Sequence, residues 1–299
     1  MFYKLRKSLK KRRFARQARH ILGVPPITHK DAPILIMSNL CHDDVIMYLV
    51  AMKSFYPRIG GGDILIVNDG SLTDSDKALL KQHLCNPEIR DAATVDTGAC
   101  PDYIAWRGLR CAIDASKDRY VIKLDSDVVA LDDLPEIKAC VAENRSFVLG
   151  SFDCEEIWTP EQALEHARGF TSDHIQIQAE RSFVKFPDAD NFRYVRGCSG
   201  FAGYQKGLYE WADVEAFCQK IEQHIDRDEW RKWGSEQVTV NSLVANSPNP
   251  LILKMPKYTN HREDTDVTKA ALVHFLGTWR FYGGRYAACA RRAVATLSA

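Results

Sequence analysis

The chain has 299 residues, which at about 150 residues per domain allows one large domain or two small ones and excludes a peptide or a small disulfide scaffold. With 45% hydrophobic, 26% charged and 10% aromatic residues, it has the composition of a folded globular protein rather than a disordered or fibrous one. The net charge of +1 hides an asymmetry: residues 1 to 30 carry ten Lys or Arg and no acid, which leaves 30 basic against 39 acidic residues elsewhere, a net of −9, and a body so acidic repels nucleic-acid phosphates.

The basic tail, residues 1–30, reads as a separate device. Phe2, Leu5 and Leu9 share one helical face, while Phe14, Ile21 and Leu22 lie roughly opposite at about 100° per residue. Two short segments, or a mainly electrostatic contact with an anionic membrane face, are therefore expected in place of one continuous amphipathic helix.

From Ala32 onward, short apolar runs alternate with amphipathic stretches, the pattern of an α/β layer fold with parallel strands between helices. Pro33 to Met37 is the first strand, and a helix opened by Asp43 and Asp44 runs through Phe55. Asp63 to Val67 is the second strand, ending in the turn Asn68-Asp69-Gly70-Ser71, after which Thr73 caps a helix through Leu84. A further helix covers Asp102 to Ser116, and Tyr120 to Leu124 is a strand that delivers Asp125, Ser126 and Asp127 at its end. Phe147 to Leu149 adds a short strand. Past Gly150 the rhythm fails, with helices at Leu208 to Ile225 and Glu236 to Ala245 and a strand at Leu251 to Lys254. The expected organisation is a single domain over 31–299, with a first half (31–150) and a second half (151–299).

The nine cysteines are odd in number, scattered and without CxxC spacing, so they read as reduced core residues. There is no apolar stretch of about eighteen residues and no signal-peptide pattern, and the expectation is a cytoplasmic chain, peripheral at the cytoplasmic membrane face where its tail engages one. Walker A, GxGxxG after a strand and GxSxG are all missing, which removes the commonest ATPase, dehydrogenase and hydrolase readings.

Asp125 and Asp127, at i and i+2 where a buried strand runs out, would face the crevice in which open parallel sheets bind ligands. Two carboxylates at this spacing suit a hard divalent ion, Mn²⁺ or Mg²⁺, which takes further ligands from a diphosphate. The plain alternative is an Asp-Ser-Asp turn capping the next helix.

The pairing of a strand with Asn-Asp-Gly-Ser and a later strand with Asp-Ser-Asp resembles the nucleotide-sugar glycosyltransferases of the A-type fold. That resemblance implies a Rossmann-like, mostly parallel sheet flanked by helices, with an acceptor-side extension, and it implies Asp69 as a uracil-facing residue with Ser38 and Asn39 in the same pocket. The segment His274 to Arg280 (HFLGTWR) is similar to the HxxGxxK element of the retaining family 8. It implies His274 as third metal ligand, with Gly277 in the turn and Arg280, in place of the Lys, on the diphosphate. Trp233 to Asn241 (WGSEQVTVN) is similar to the family 8 segment that sets an acidic residue and a Gln before a helix, implying Glu236 and Gln237 near the anomeric carbon. Arg196 to Gly203 (RGCSGFAG) resembles the small-residue acceptor loop of the fold. The N-terminal motifs look like the inverting family 2, and the C-terminal ones like family 8, which favours retention and leaves inversion open, with Glu236 then as base.

The implied function is metal-dependent transfer of a sugar from a nucleotide-diphosphate donor, UDP-linked, to a hydroxyl of a glycan or lipid-linked acceptor, in cell-surface polysaccharide or glycolipid synthesis. The alternatives are a sugar-phosphate nucleotidyltransferase, which should carry a basic Gly-rich loop where this chain has Ser38 to Asp44, and a non-catalytic nucleotide- or sugar-binding protein.

Overall fold

A computed structural model describes residues 2–298. In chain order the elements are α1 (Phe2–Ala18), β1 (Ile34–Leu40), α2 (Val45–Ile59), β2 (Asp63–Asn68), α3 (Asp74–His83), β3 (Glu88–Asp91), α4 (Ile104–Ser116), β4 (Tyr120–Leu124), β5 (Val128–Ala130), α5 (Pro135–Ala142) and β6 (Phe147–Leu149). They continue with α6 (Pro160–Arg168), α7 (Ile175–Ser182), β7 (Cys198–Tyr204), α8 (Trp211–Glu222), α9 (Arg227–Trp230), α10 (Ser235–Ala245), β8 (Leu251–Leu253), β9 (Tyr258–Asn260), β10 (Leu272–His274) and α11 (Arg285–Ser298).

The chain forms two compact units, 1–92 with 123–139 and 255–299, and 93–122 with 140–254. These are not halves divided at residue 150: the segment after residue 254 returns to the first unit, because β10 pairs with β5 and β9 and α11 packs on α1 and α2. In the first unit β1, β2 and β3 are parallel neighbours, and in the second β6 pairs antiparallel to β7 and parallel to β8. Strand β4 contributes residues to both, which gives the seven-stranded order β3-β2-β1-β4-β7-β6-β8, flanked by helices. The apolar runs of β1, β2 and β4 are buried almost throughout, as strands covered on both faces require.

Several expectations change. The tail is one continuous helix, α1, followed by a 3₁₀ turn at Arg19–Gly23. Phe14, Ala18, Ile21 and Val24 are buried in the first unit while Leu9 is exposed, and the Phe14 ring stacks on Tyr286 at 4.0 Å. Lysine, arginine and alanine are good helix formers, and docking on α11 supplies what a one-sided apolar stripe would have. Of residues 196–203 only Arg196 and Gly197 are loop, since Cys198–Tyr204 is the fully buried strand β7. Seven cysteines are buried as expected, but Cys41 is only partly so and Cys85 is exposed. Thr73 caps α3 in a full capping box with Asp76, whereas Asp44, expected to open α2, makes no cap and pairs with Lys11 at 2.7 Å. No described helix is long and apolar enough to cross a membrane.

Candidate active site

The Asp-Ser-Asp segment lies between β4 and β5. Val128 N donates to Asp125 O at 3.2 Å, closing a tight turn, and β5 then runs antiparallel to β10 with Val128 opposite His274. The register sets His274 beside Asp127, fixed further by Phe275 N donating to Asp127 O at 2.9 Å. Strand β9 runs parallel to β10 on its other side, with Asn260 opposite His274.

His274 Nε2 lies 3.1 Å from Asp127 Oδ1 and 3.8 Å from Asp125 Oδ2, and Nδ1 lies 3.2 Å from Asn260 Oδ1. With the Nδ1 proton donated to Asn260, the Nε2 lone pair faces the two carboxylates, the orientation a metal-bound imidazole takes from its outer partner. One ligand atom from each of Asp125, Asp127 and His274 falls within 4.8 Å of the others. Two carboxylates and one imidazole around one point fit a hard divalent cation. Asp127 and His274 are buried, while Asp125 stays partly exposed.

Arg280 completes the cluster. Gly277, at φ +57, takes a left-handed conformation that costs a glycine little. It starts the 3₁₀ turn that brings Arg280 back, so that Arg280 Nε donates to Phe275 O at 3.0 Å and a terminal nitrogen sits 2.5 Å from Asp127 Oδ2. Here the guanidinium rests on the carboxylate of Asp127, one of the three candidate metal ligands. Burial alone would raise the Asp127 carboxyl, but Arg280 first, and then His274 when its Nε2 carries a proton, outweigh it and hold it down at about 2.

The nucleoside candidates gather at the same strand edge of this unit. Ser38 and Asn39 at the end of β1 register with Ile66 and Val67 of β2, and Asp69 N donates to Leu40 O at 3.2 Å. In the following turn Asn68 Oδ1 accepts from Gly70 N and Leu72 N, and Asp69 Oδ1 accepts from Ser71 N and Oγ. Asp69 is exposed, and the Asn39 Oδ1 atom is buried with no partner among the described residues.

Glu236 and Gln237 belong to the second unit, in the first turn of α10 behind Gly234 at φ +103. Glu236 is buried and accepts from the Tyr103 hydroxyl at 2.8 Å; burial and the Glu236 carboxylate push that hydroxyl up. Gln237 Oε1 accepts from Ser199 N of β7 at 3.2 Å. Of the six tryptophans, Trp106 and Trp230 are core, whereas Trp233, just ahead of α10, is 73% exposed.

Three contributors escaped the sequence: Asn260 behind His274, Tyr103 on Glu236, and Lys123, whose Nζ lies 3.5 Å from Asp125 Oδ1. Asn260 belongs to no motif, and only the β9–β10 register selects it; Lys123 is a buried strand lysine, an unusual placement that could have marked it.

No family model matches the sequence, and no curated protein matches it. Among solved structures, the bifunctional glycosyltransferase WbbM superimposes with a TM-score of 0.51 at 10% identity, over 91% of this chain and 51% of its own. The fold is the A-type glycosyltransferase fold. The chain spans about half the length of WbbM, and at this identity the likeness is one of fold. Galactosyltransferase LgtC, solved with donor and acceptor sugar analogs, gives 0.45 at 10% identity over 86% of this chain and 95% of its own. Mouse xyloside xylosyltransferase 1 gives 0.44 at 12% over 89% and 94%.

Proposed function

We propose that the protein transfers a sugar from a nucleotide-diphosphate donor, UDP-linked, to an acceptor hydroxyl. The observation that carries this reading is the convergence of Asp125, Asp127 and His274 on one point at a strand end of an A-type glycosyltransferase fold. In transfer the bond from the anomeric carbon to the diphosphate oxygen breaks with its electron pair going to that oxygen, the acceptor oxygen bonds to the carbon, and the acceptor proton passes to the departing diphosphate on retention or to Glu236 on inversion. A divalent ion at this site, Mn²⁺ or Mg²⁺, supplies neutralisation of the charge that builds on the leaving diphosphate.

The chain's own residues do the rest. Asp125 and Asp127 are the anionic ligands, and His274 is the neutral third ligand, oriented through Asn260. Arg280, held by the Gly277 turn, shares its donors between Asp127 and a phosphate oxygen, for which its forked geometry is suited. Asn39, with its unpartnered buried oxygen, Ser38 and Asp69 hold the nucleoside. Glu236 and Gln237 serve the sugar-transfer centre, and the exposed Trp233 beside them offers an apolar face for an acceptor pyranose. Resemblance of the Glu236 and His274 segments to the retaining family favours retention, and the anomeric configuration of the product by NMR decides it; an inverted product makes Glu236 the base.

The test is thermal unfolding with a panel of nucleotide sugars, with and without Mn²⁺, since a ligand that binds only the folded state raises its midpoint. A metal-dependent rise with a UDP-sugar, lost in Asp125→Ala and Asp127→Ala, supports the reading. A rise with nucleoside triphosphates and sugar phosphates instead favours nucleotidyl transfer. Binding without turnover favours a non-catalytic protein.

A further inference from the structure

The first and last helices of the first unit enclose a cavity of about 560 Å³ on which the reading above places no role. Lys10, Arg13, Phe14 and Gln17 line it from α1, at the i, i+3, i+4 and i+7 spacing of one helical face. From the other side come Phe281, Tyr286, Ala287 and Arg291.

The floor is aromatic and deep. Phe14 stacks on Tyr286 at 4.0 Å and 27°, and Tyr286 stacks on Phe275 at 4.4 Å and 13°, so a continuous pile of rings runs from the cavity to the residue after His274. The rim is cationic and exposed: Lys10, Arg13 and Arg291 all face solvent. No acid lines the cavity, and α1 and α11 contain none along their whole length. Among the described residues Lys11 pairs with Asp44 at 2.7 Å, but no ion pair takes up Lys10, Arg13 or Arg291. Leu9 on α1, and Trp279 and Tyr282 in the 3₁₀ turns ahead of α11, are exposed as well, and such residue types settle at a bilayer interface.

We propose that this cavity receives the phosphate of an anionic phospholipid and docks the protein on a negatively charged membrane face. Free cations over an apolar floor match a headgroup phosphate joined to acyl chains: the phosphate meets Lys10, Arg13 and Arg291, and the glycerol and upper chain meet Phe14, Phe281 and the short side of α11. Nucleic acid would need a cationic track without the apolar floor, and a free phosphate would make no use of it. The inference goes beyond glycosyl transfer and does not depend on the metal site.

The experiment is co-sedimentation of the full chain with vesicles of phosphatidylcholine alone and of phosphatidylcholine mixed with phosphatidylglycerol, without donor or metal. The full chain is expected to bind only the anionic vesicles and to be released by raised salt. The triple variant Lys10→Glu, Arg13→Glu, Arg291→Glu is expected to bind more than about a hundredfold more weakly, since losing three engaged cations at roughly a factor of five each already gives that and the new carboxylates add repulsion. A control reversing the exposed Lys206, Lys254 and Lys269 has the same net charge and should stay within a few-fold of wild type. Should the reversal variant fail to fold, Lys10→Gln, Arg13→Gln, Arg291→Gln replaces it, with a loss of tenfold or more expected. Equal losses in the cavity and control variants overturn the proposal, as does wild-type binding by the cavity variant. Release by inorganic phosphate at unchanged ionic strength makes a free anion the occupant, and tighter binding to duplex DNA than to anionic vesicles makes it nucleic acid; either result overturns it. Donor turnover measured without vesicles is a separate readout, so failure here leaves the active-site reading standing.

Discussion

Arg280→Met isolates the charge balance of the proposed metal site. The Asp127 carboxyl is 3% exposed as a residue, and burial by itself pushes it up; Arg280, ahead of His274, brings it from an ordinary 3.8 to about 2. At about 1.4 kcal/mol per pH unit the net stabilisation of the ionised form is about 2 kcal/mol. Removing Arg280 also exposes the desolvation cost it was offsetting, and deleting one partner of a buried pair costs about 3 to 5 kcal/mol. A loss between these figures, about 2 to 4 kcal/mol at neutral pH, lowers the thermal midpoint by about 5 °C or more in a chain of this size. The sign follows from the depressed carboxyl: the stabilisation is fully present above 3.8 and is lost as pH falls towards about 2. In the variant Asp127 Oδ2 loses its guanidinium partner while Oδ1 still faces His274 Nε2, so Mn²⁺ replaces the missing cation and is expected to raise the midpoint more than it does in wild type, where it shares Asp127 with Arg280. The assay is urea or thermal unfolding of both proteins with and without Mn²⁺. A variant as stable as wild type near pH 7, or one whose deficit Mn²⁺ leaves untouched, would refute the reasoning.

His274→Ala should keep the fold and lose Mn²⁺ affinity and metal-dependent donor turnover by about 10- to 100-fold or more, measured by metal titration and donor hydrolysis; unchanged Mn²⁺ affinity would return His274 to the core. Tyr103→Phe, which removes the hydroxyl donated to Glu236 at 2.8 Å, should lower kcat with little change in donor KM and move the kcat pH profile, and a flat response would separate Glu236 from catalysis. His83 accepts from Lys53 Nζ at 2.9 Å, and burial, with the Lys53 charge, holds its imidazole below the ordinary 6.5. The unfolded chain then binds more protons than the folded one below 6.5, so stability is lost as pH falls through that value, and urea midpoints at pH 7.5 and 5.5 should differ less in His83→Gln than in wild type. Trp233→Ala should raise the acceptor KM and spare donor affinity, read by steady-state kinetics once an acceptor is in hand.

How much of this was legible depended on length and periodicity. Strands β1, β2 and β4 run five to seven residues and are buried on both faces, so they stand out as apolar runs, and the polar turns that end them mark one edge of the sheet. Strands β5, β9 and β10 have three residues each, too short for alternation to be read. Yet their pairing closes the site, since His274 and Asp127 are 147 residues apart in the chain and meet through the β5–β10 register. Motif spacing suggested the partnership, and only the ladder supplies its geometry.

The N-terminal helix shows the opposite failure. Its apolar residues do lie on different sides, Leu9 outward and Phe14 inward, which spoils the single stripe that sequence reading looks for. The helix forms because its interior face needs only Phe14, Ala18 and the following Ile21 to seat against α11 and α2, while the cations cover the rest. Tertiary docking removes the need for amphipathic regularity, and it leaves Lys10 and Arg13 facing outward over an aromatic floor instead of spreading them along a loose arm. A flexible arm would lose conformational entropy each time it met a surface. A helix already fixed by Phe14 on Tyr286 presents its charges in place, so binding through this face should depend on Lys10, Arg13 and Arg291 individually and not on the tail's total charge.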